Sequence, residues 1–439
     1  MTVLDQFGAF VAAPKRLPEA VERAARRHVL DIVGAWIAGR ATAEGEALTR
    51  YGARALGQSG ADRAVVHCGH ARLSEIDDIH LSSLTTPGAI VVPTTLVMAR
   101  AERLDHAAVV EAIVGGYEAM IRLGMAVDGP KILYRGIWPT YLAAPFGAAA
   151  VAARLLRLSD AQAANALALA LSLASPAVGH QAGAATSRWL ACGLAVRNGV
   201  GAALAARDGF IADRGLLDGG AFATTYSANP TALIQGLGED HAVLDVSFKP
   251  WCAARQTMAA TQGLIELLAD GVAVGDIAEI AVAIPPVQQK MIDHGVNAGE
   301  RLTYLTSLPY MLATAVLAPD AKFDIRPTPQ RSPDIQAVMA KVKVNADDSL
   351  MAEYPAVWPA RVTVRTASGT REKLVRQVPG DPARPLDERQ LLDKLRRVIA
   401  AATSPAAAQA VLASAAPLLA DGDVVDAAAT ALRAGGVSL

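Results

Sequence analysis

The period at which apolar residues recur is what most limits the folds open to this chain. Up to about residue 240 that period is three to four. In Pro18 to Ala38, Val21, Ala25, Val29, Ile32, Val33 and Trp36 mark one helical face, and Gly39 is placed to stop the helix. The same spacing predicts helices over Glu44 to Leu56, Ile90 to Arg100, Ala107 to Met125, Thr140 to Leu156, Ala161 to Ala174 and Arg188 to Asp208. Ser159 with Gln162 three residues on forms a capping box for one of them. Small residues crowd these segments: Gly115, Gly116 and Gly124, then Ala143, Ala144, Gly147 and Ala150, then Gly193, Gly199 and Gly201. Glycine inside a helix costs about 1 kcal/mol against alanine. Such residues fit seams where helices approach closely. Ala64 to His67 reads as a short strand, Asp128 to Pro139 as an irregular loop, and Gly179 to Ser187 as a loop of small residues.

Past Lys249 the period changes. One more helix is expected over Ala254 to Ala269. Ile277 to Ile284 then alternates as a strand does and ends at Pro285-Pro286. A helix follows over Ser307 to Leu317, and a strand begins within Val338 to Val344. Ala360 to Thr366 with Glu372 to Gln377 makes a hairpin around Ser368-Gly369. Gly380-Asp381-Pro382 is a turn, and Asp387 to Leu432 is helical again. The expected fold is mainly α. A large all-helical domain, residues 1–248, is closed by C-terminal helices in 386–439, and a smaller α+β lid domain spans 249–385.

Bulk properties exclude several function classes. The formal net charge is -1, so no basic field points to nucleic acid or an anionic membrane. The cysteines are Cys68, Cys192 and Cys252, an odd number without a CxxC pair, which argues against a disulfide framework and for a reducing cytoplasm. The N-terminus carries Asp5 and no basic region before an apolar core, unlike a signal peptide. The most apolar window, Ala161 to Gly179, is mostly alanine and holds Gln162, Asn165, Ser172, Ser175 and Pro176. A buried core helix explains it better than a membrane span.

Within the helical part lies EIDDIHLSSLTTPGAIVVPTT, Glu75 to Thr95. Glu75, Asp77, Asp78 and His80 fall within six residues, and Ser82, Ser83, Thr85 and Thr86 follow. Read as local structure, Asp78 or Ser82 caps one helix and Thr86 before Pro87 starts the next. Read as chemistry, carboxylates between apolar helices are too costly to bury unpaired and line a cavity. His80 reads either as a general acid or base, its pKa raised by the neighbouring carboxylates, or as a structural histidine bonded to Asp77 or Asp78. Adjacent aspartates with no second cluster do not make a metal-ligand set.

The order of motifs resembles the MmgE/PrpD family, which includes 2-methylcitrate dehydratase, cis-aconitate decarboxylase and an iminodisuccinate epimerase. The resemblance runs through DIVGAWIAG, IDDIHLSSLTTPGAIVVP, GIWPTYLAAPFGAAAVAARLLRLS, TSRWLACGLAVRNGVGAALAARDGF, VSFKPWCAARQTMAAT, TSLPYMLA and VPGDPARPLDERQLLDKL, nearly the whole chain. It implies a helical domain with an α+β lid, a homodimer, and no metal or organic cofactor. It also implies a small polycarboxylate substrate.

Residue by residue, the resemblance keeps Asp77, Asp78 and His80, with Glu75 an acid in place of an acid. Thr86 stands where the family has a histidine before Pro87, and Trp138 stands where it has a second. Arg188 replaces a lysine, and Lys249 is kept. The resemblance thus implies Lys249, His80, Asp77 and Asp78 as catalytic candidates. Arg188, Arg255, Trp138, Thr86 and Tyr304 are substrate-binding candidates. Arginine holds a carboxylate bidentately and does not give up its proton, whereas a buried lysine can act as clamp or base. Tyr304 and Tyr310 can donate a proton or a hydrogen bond, though a core tyrosine is the commoner case, and Cys252 reads as a buried thiol. The implied activity is a lyase or isomerase abstracting a proton next to a carboxylate of a small di- or tricarboxylate. With two family histidines replaced, a standard 2-methylcitrate dehydratase is not expected. An epimerase of an iminodisuccinate-like aminodicarboxylate and a catalytically silent carboxylate-binding or structural paralogue are the alternatives.

Overall fold

The computed structural model describes the chain apart from residues 15, 103, 105, 175–184, 298–299, 327–331 and 421. Most of the expected loop from Gly179 to Ser187 therefore lies outside the described residues. The fold is mainly α, with one four-stranded sheet. The helices predicted from period form with shifts of one or two residues at their ends, among them Glu19–Arg40, Gly88–Glu102, His106–Ala126, Pro139–Leu155 and Ser187–Arg207. The Ser159–Gln162 capping box starts the helix Asp160–Ser172.

Three local expectations are corrected. Ala64 to His67 is not a strand but part of the helix Gly60–Leu73. Ser59 caps that helix by accepting from the Asp62 amide, and the short apolar run did not distinguish strand from buried helix. The loop from Asp128 to Pro139 contains the short helix Gly129–Leu133, begun by the Asp128 side chain accepting from the Lys131 amide. Val338 lies in a helix, Pro333–Met339, and the strand begins only at Val342.

The helix Ser187–Arg207 packs against Gly60–Leu73, Pro139–Leu155 and Asp160–Ser172. Its glycines explain how. A Cβ on Gly193 would lie 2.2 Å from the Val65 carbonyl oxygen, whereas one on Gly201 would meet nothing within 4 Å. By length and composition this helix could cross a membrane, but 56% of its most apolar window is buried inside the molecule. That is the character of a core helix.

The C-terminal helices Glu388–Ala402 and Val424–Ala434 pack on Glu19–Arg40. The seam holds a buried ion pair, Lys394 Nζ to Asp31 Oδ1 at 2.5 Å. Lys394 also donates to the Ile76 carbonyl (3.4 Å), which ties the tail to the acidic stretch.

Strands β1 (Ile277–Ile284), β2 (Val342–Ala346), β3 (Ala360–Thr366) and β4 (Gly369–Val375) form a sheet in the order β2-β1-β3-β4. The β1–β2 pair is parallel, and β3 and β4 are an antiparallel hairpin with Thr366 opposite Gly369. The helix Arg255–Ala269 packs on β3 and β4. Ile79 and Ser247 exchange backbone hydrogen bonds at 2.9 and 2.8 Å. That isolated bridge sets Glu75 to His80 beside the segment carrying Lys249.

Candidate active site

The site is built on the turn that leaves the helix Gly60–Leu73. Glu75 there has a φ of 51°, the left-handed region that a non-glycine residue occupies only when its surroundings force it. Its backbone is held from three directions. The Glu75 carbonyl accepts from Lys249 Nζ at 3.3 Å and from the Ala253 amide at 3.3 Å, and the Ile76 amide donates to Ser74 Oγ.

The Glu75 side chain meets three cations. Arg72 Nη1 lies 3.1 Å from Glu75 Oε2, the Arg188 guanidinium donates to Oε1, and Lys249 Nζ is 3.9 Å from Oε2. Asp77 shares two of them, with Arg72 Nη1 at 3.1 Å and Lys249 Nζ at 3.4 Å. All five residues are buried. Burying ions is expensive even when they are paired, so such a cluster adds little to stability and is a candidate functional site. Burial alone would push Glu75 up, but Arg72, Arg188 and Lys249 outweigh it and hold the carboxyl at about 2. For Asp77 burial wins. Its pKa is raised despite Arg72 and Lys249, and Glu75 and Asp78 add to the rise. Three cations face two carboxylates, so one positive charge is left over when both acids are ionised.

A cavity of about 50 Å³ opens on this cluster. Arg72, Glu75, Arg188, Lys249 and Arg255 form its polar side; Thr86, Thr140 and Thr306 add hydroxyls. Leu133, Trp138, Met291 and Leu305 form an apolar wall. Small-molecule pockets usually measure roughly 300–1,000 Å³, so a substrate enters only if this wall moves. Arg255 is held by Asp381, its Nη2 donating to both carboxylate oxygens at 3.0 and 2.7 Å. Its Nε and Nη1 are buried and have no hydrogen-bond partner among the described residues. The Thr86 amide donates to Thr140 Oγ1 at 3.0 Å, and the two hydroxyls are 3.1 Å apart. The Arg188 guanidinium stacks 5.6 Å from the Trp138 ring centroid.

Of the residues singled out in sequence, Lys249, Arg188, Arg255, Trp138 and Thr86 line this cavity, and Asp77 is hydrogen-bonded to the Lys249 that does. Three others lie elsewhere. Asp78 turns the opposite way, where its Oδ1 accepts from the Gly88 amide at 2.8 Å and its Oδ2 accepts from Tyr117 Oη at 2.5 Å. His28 Nδ1 stands 2.8 Å from the same oxygen. Asp78 therefore supports the start of the helix Gly88–Glu102, and the His28 ring stacks on Phe248, next to Lys249. His80 faces a separate cleft of about 760 Å³ shared with Arg122 and Asp245. The Ser83 amide donates to His80 Nδ1 at 3.2 Å. Its pKa is not raised by neighbouring carboxylates, which point away, but lowered by burial to about 4. Tyr304 is buried against Tyr310, and its hydroxyl donates to the Asp324 carbonyl at 3.5 Å, outside the cavity lining.

Sequence reasoning placed neither Arg72 nor Glu75 among the site residues. Glu75 stood in the acidic stretch from the start. Arg72 precedes it by three residues, and reading its segment as a helix would have put Arg72 in the last turn, beside that stretch. Cys252 is a buried free thiol whose pKa burial pushes up.

The chain matches the MmgE/PrpD N-terminal domain over residues 6–231 and the MmgE/PrpD C-terminal domain over residues 251–417. No curated protein matches it. Two matches in sequence order that together take in most of the 439 residues establish that the chain belongs to the MmgE/PrpD family.

Proposed function

We propose that this chain is a dehydratase-like lyase, or an isomerase, that abstracts a proton next to a carboxylate of a small di- or tricarboxylate. The observation that carries this reading is the uncompensated positive charge of the Arg72, Arg188 and Lys249 cluster beside a cavity. In a water-poor pocket that charge favours one incoming carboxylate. Arg255 lines the same cavity, and its Nε and Nη1, without a partner among the described residues, give a second carboxylate its donors. In this reading residues 249–385 act as a lid. An iminodisuccinate-like aminodicarboxylate is within the same chemistry, since epimerisation begins with the same proton abstraction.

A silent carboxylate-binding paralogue is the second reading, favoured by the small cavity and by Glu75 already occupying Arg188. Two measurements separate them. A thermal-shift screen against citrate, methylcitrate, cis-aconitate and aminodicarboxylates finds ligands, because binding to the native state alone raises its stability. Incubation of each hit with the protein in heavy water then reports proton abstraction as deuterium entering the carbon next to the carboxylate. An enzyme exchanges that proton, whereas a silent paralogue binds without exchange.

A further inference from the structure

The cations that a substrate carboxylate needs are already held by Glu75. Arg188 donates to its Oε1, Arg72 to its Oε2, and Lys249 stands 3.9 Å from Oε2. Glu75 is also part of the cavity wall, so an anion in the cavity competes with it directly. Asp77 offers no such competition. It does not line the cavity, and its Oδ2 has no hydrogen-bond partner among the described residues. The two acids therefore differ in what an incoming anion does to them.

We propose that a substrate carboxylate displaces Glu75 from Arg188, and that the released Glu75 carboxylate is the base that takes the substrate proton. This inference rests on the carboxylate reading above. While three cations hold Glu75, it is a very weak base, and losing contact with Arg188 and Lys249 restores basicity. The other charged and titratable groups around it are Asp77 and Asp78 on its own loop, Arg72 on the preceding helix, Tyr141 on Pro139–Leu155, and Cys192 beside Arg188. Arg72 is the cation among these, and Arg255 on the same cavity is bound to Asp381, so Arg72 stays to steer the freed carboxylate. In the step itself a substrate C–H bond breaks and an O–H bond forms on Glu75. The electron pair remains on the substrate carbon and spreads into the adjacent carboxylate, now held by Arg188 and Lys249. The base is thus exposed only when substrate is present.

The test uses the full-length chain with citrate, cis-aconitate and succinate as probes. Glu75→Gln keeps the size of the side chain but no longer competes as an anion. It should bind the probes at least about tenfold more tightly than the wild type, while proton exchange in heavy water falls roughly 10²–10⁴-fold. Glu75→Asp keeps the charge on a shorter arm that reaches Arg188 less well. It guards against a poorly folded glutamine variant and should fall between the two in affinity. A wild type that binds while both variants bind no tighter overturns this inference alone. Failure of all three proteins to bind any probe overturns the carboxylate reading and this inference together.

Discussion

Lys249 Nζ lies 3.4 Å from Asp77 Oδ1 and 3.3 Å from the Glu75 carbonyl oxygen, with both side chains almost wholly buried. The contact joins residues 172 positions apart. Like Arg72, Lys249 touches both acids, while Arg188 touches only Glu75.

Lys249→Arg and Lys249→Ala separate the roles of that side chain. Arginine keeps the charge but does not give up its proton. If Lys249 is a clamp, Lys249→Arg retains substantial turnover with a changed KM; if it is the base, kcat falls with binding largely kept. With Glu75 as base, the clamp result is the expected one. Lys249→Ala removes a cation from two buried carboxylates and should destabilise the fold by about 3–5 kcal/mol, read from denaturant unfolding. A Lys249→Ala protein of unchanged stability and activity would sink both roles.

Beside His80, two further histidines should contribute to acid sensitivity. His67 and His70 are buried on the helix Gly60–Leu73, and burial lowers them to about 3 and about 4. His70 Nε2 lies 2.9 Å from the Gly45 carbonyl, so that nitrogen carries the proton of the neutral ring. Unfolded histidine titrates near 6.5. Below that value the unfolded chain binds protons that the folded chain refuses. The stabilisation is therefore complete above pH 6.5 and is lost as pH falls towards 4 and 3. His67→Phe, which keeps the edge contact with Trp36, should flatten the fall in Tm between pH 6.5 and 4. An unchanged slope would show that other groups set the acid limb.

The fold was legible because its signals are local. Ile277 to Ile284 alternates in sequence and is β1 residue for residue, and Ser159 with Gln162 caps a helix in both readings. The site was legible only in part. Which way a side chain leaves a tight turn is not written in its residue type. Asp77 and Asp78 are neighbours, yet one reaches Lys249 and the other reaches Tyr117 and the Gly88 amide. Arg72 is hidden for a different reason: with Ala64 to His67 read as a strand, the helix whose last turn carries Arg72 beside Glu75 does not appear.

The glycine seams give a paired test of packing. At Gly193 a methyl group would press within 2.2 Å of the Val65 carbonyl, a backbone atom with little freedom to move. Gly193→Ala should therefore cost more than the roughly 1–3 kcal/mol typical of overpacking a core. Gly201, on the same helix, has open space where its Cβ would go. Gly201→Ala should stabilise by about 1 kcal/mol, the helix-propensity difference. Thermal melts of the two variants should move in opposite directions; a shift of the same sign in both would mean that these helices do not meet as described.

At two positions, Thr86 and Trp138, the family resemblance leads one to expect histidine. Both Thr86 and Trp138 line the cavity, so a group placed there would meet the substrate. Neither titrates near neutral pH. The Thr86 hydroxyl is tied to Thr140, and Trp138 lies against the Arg188 guanidinium. A positioned acid or base is typically worth roughly 10²–10⁴-fold in rate. Expelling a hydroxyl or protonating a decarboxylated carbon needs such an acid, whereas abstracting a proton needs only the base. The purified protein should therefore exchange substrate protons with heavy water but turn over methylcitrate and cis-aconitate well below about 1 s⁻¹, the low end of common enzyme rates. Trp138→His restores an imidazole on the cavity wall and opens space beside Arg188. It should raise product formation relative to exchange if the missing acid is the obstacle. Rapid turnover of either compound by the unaltered chain would show that another group supplies the proton, and Thr86 and Trp138 would then be no more than walls.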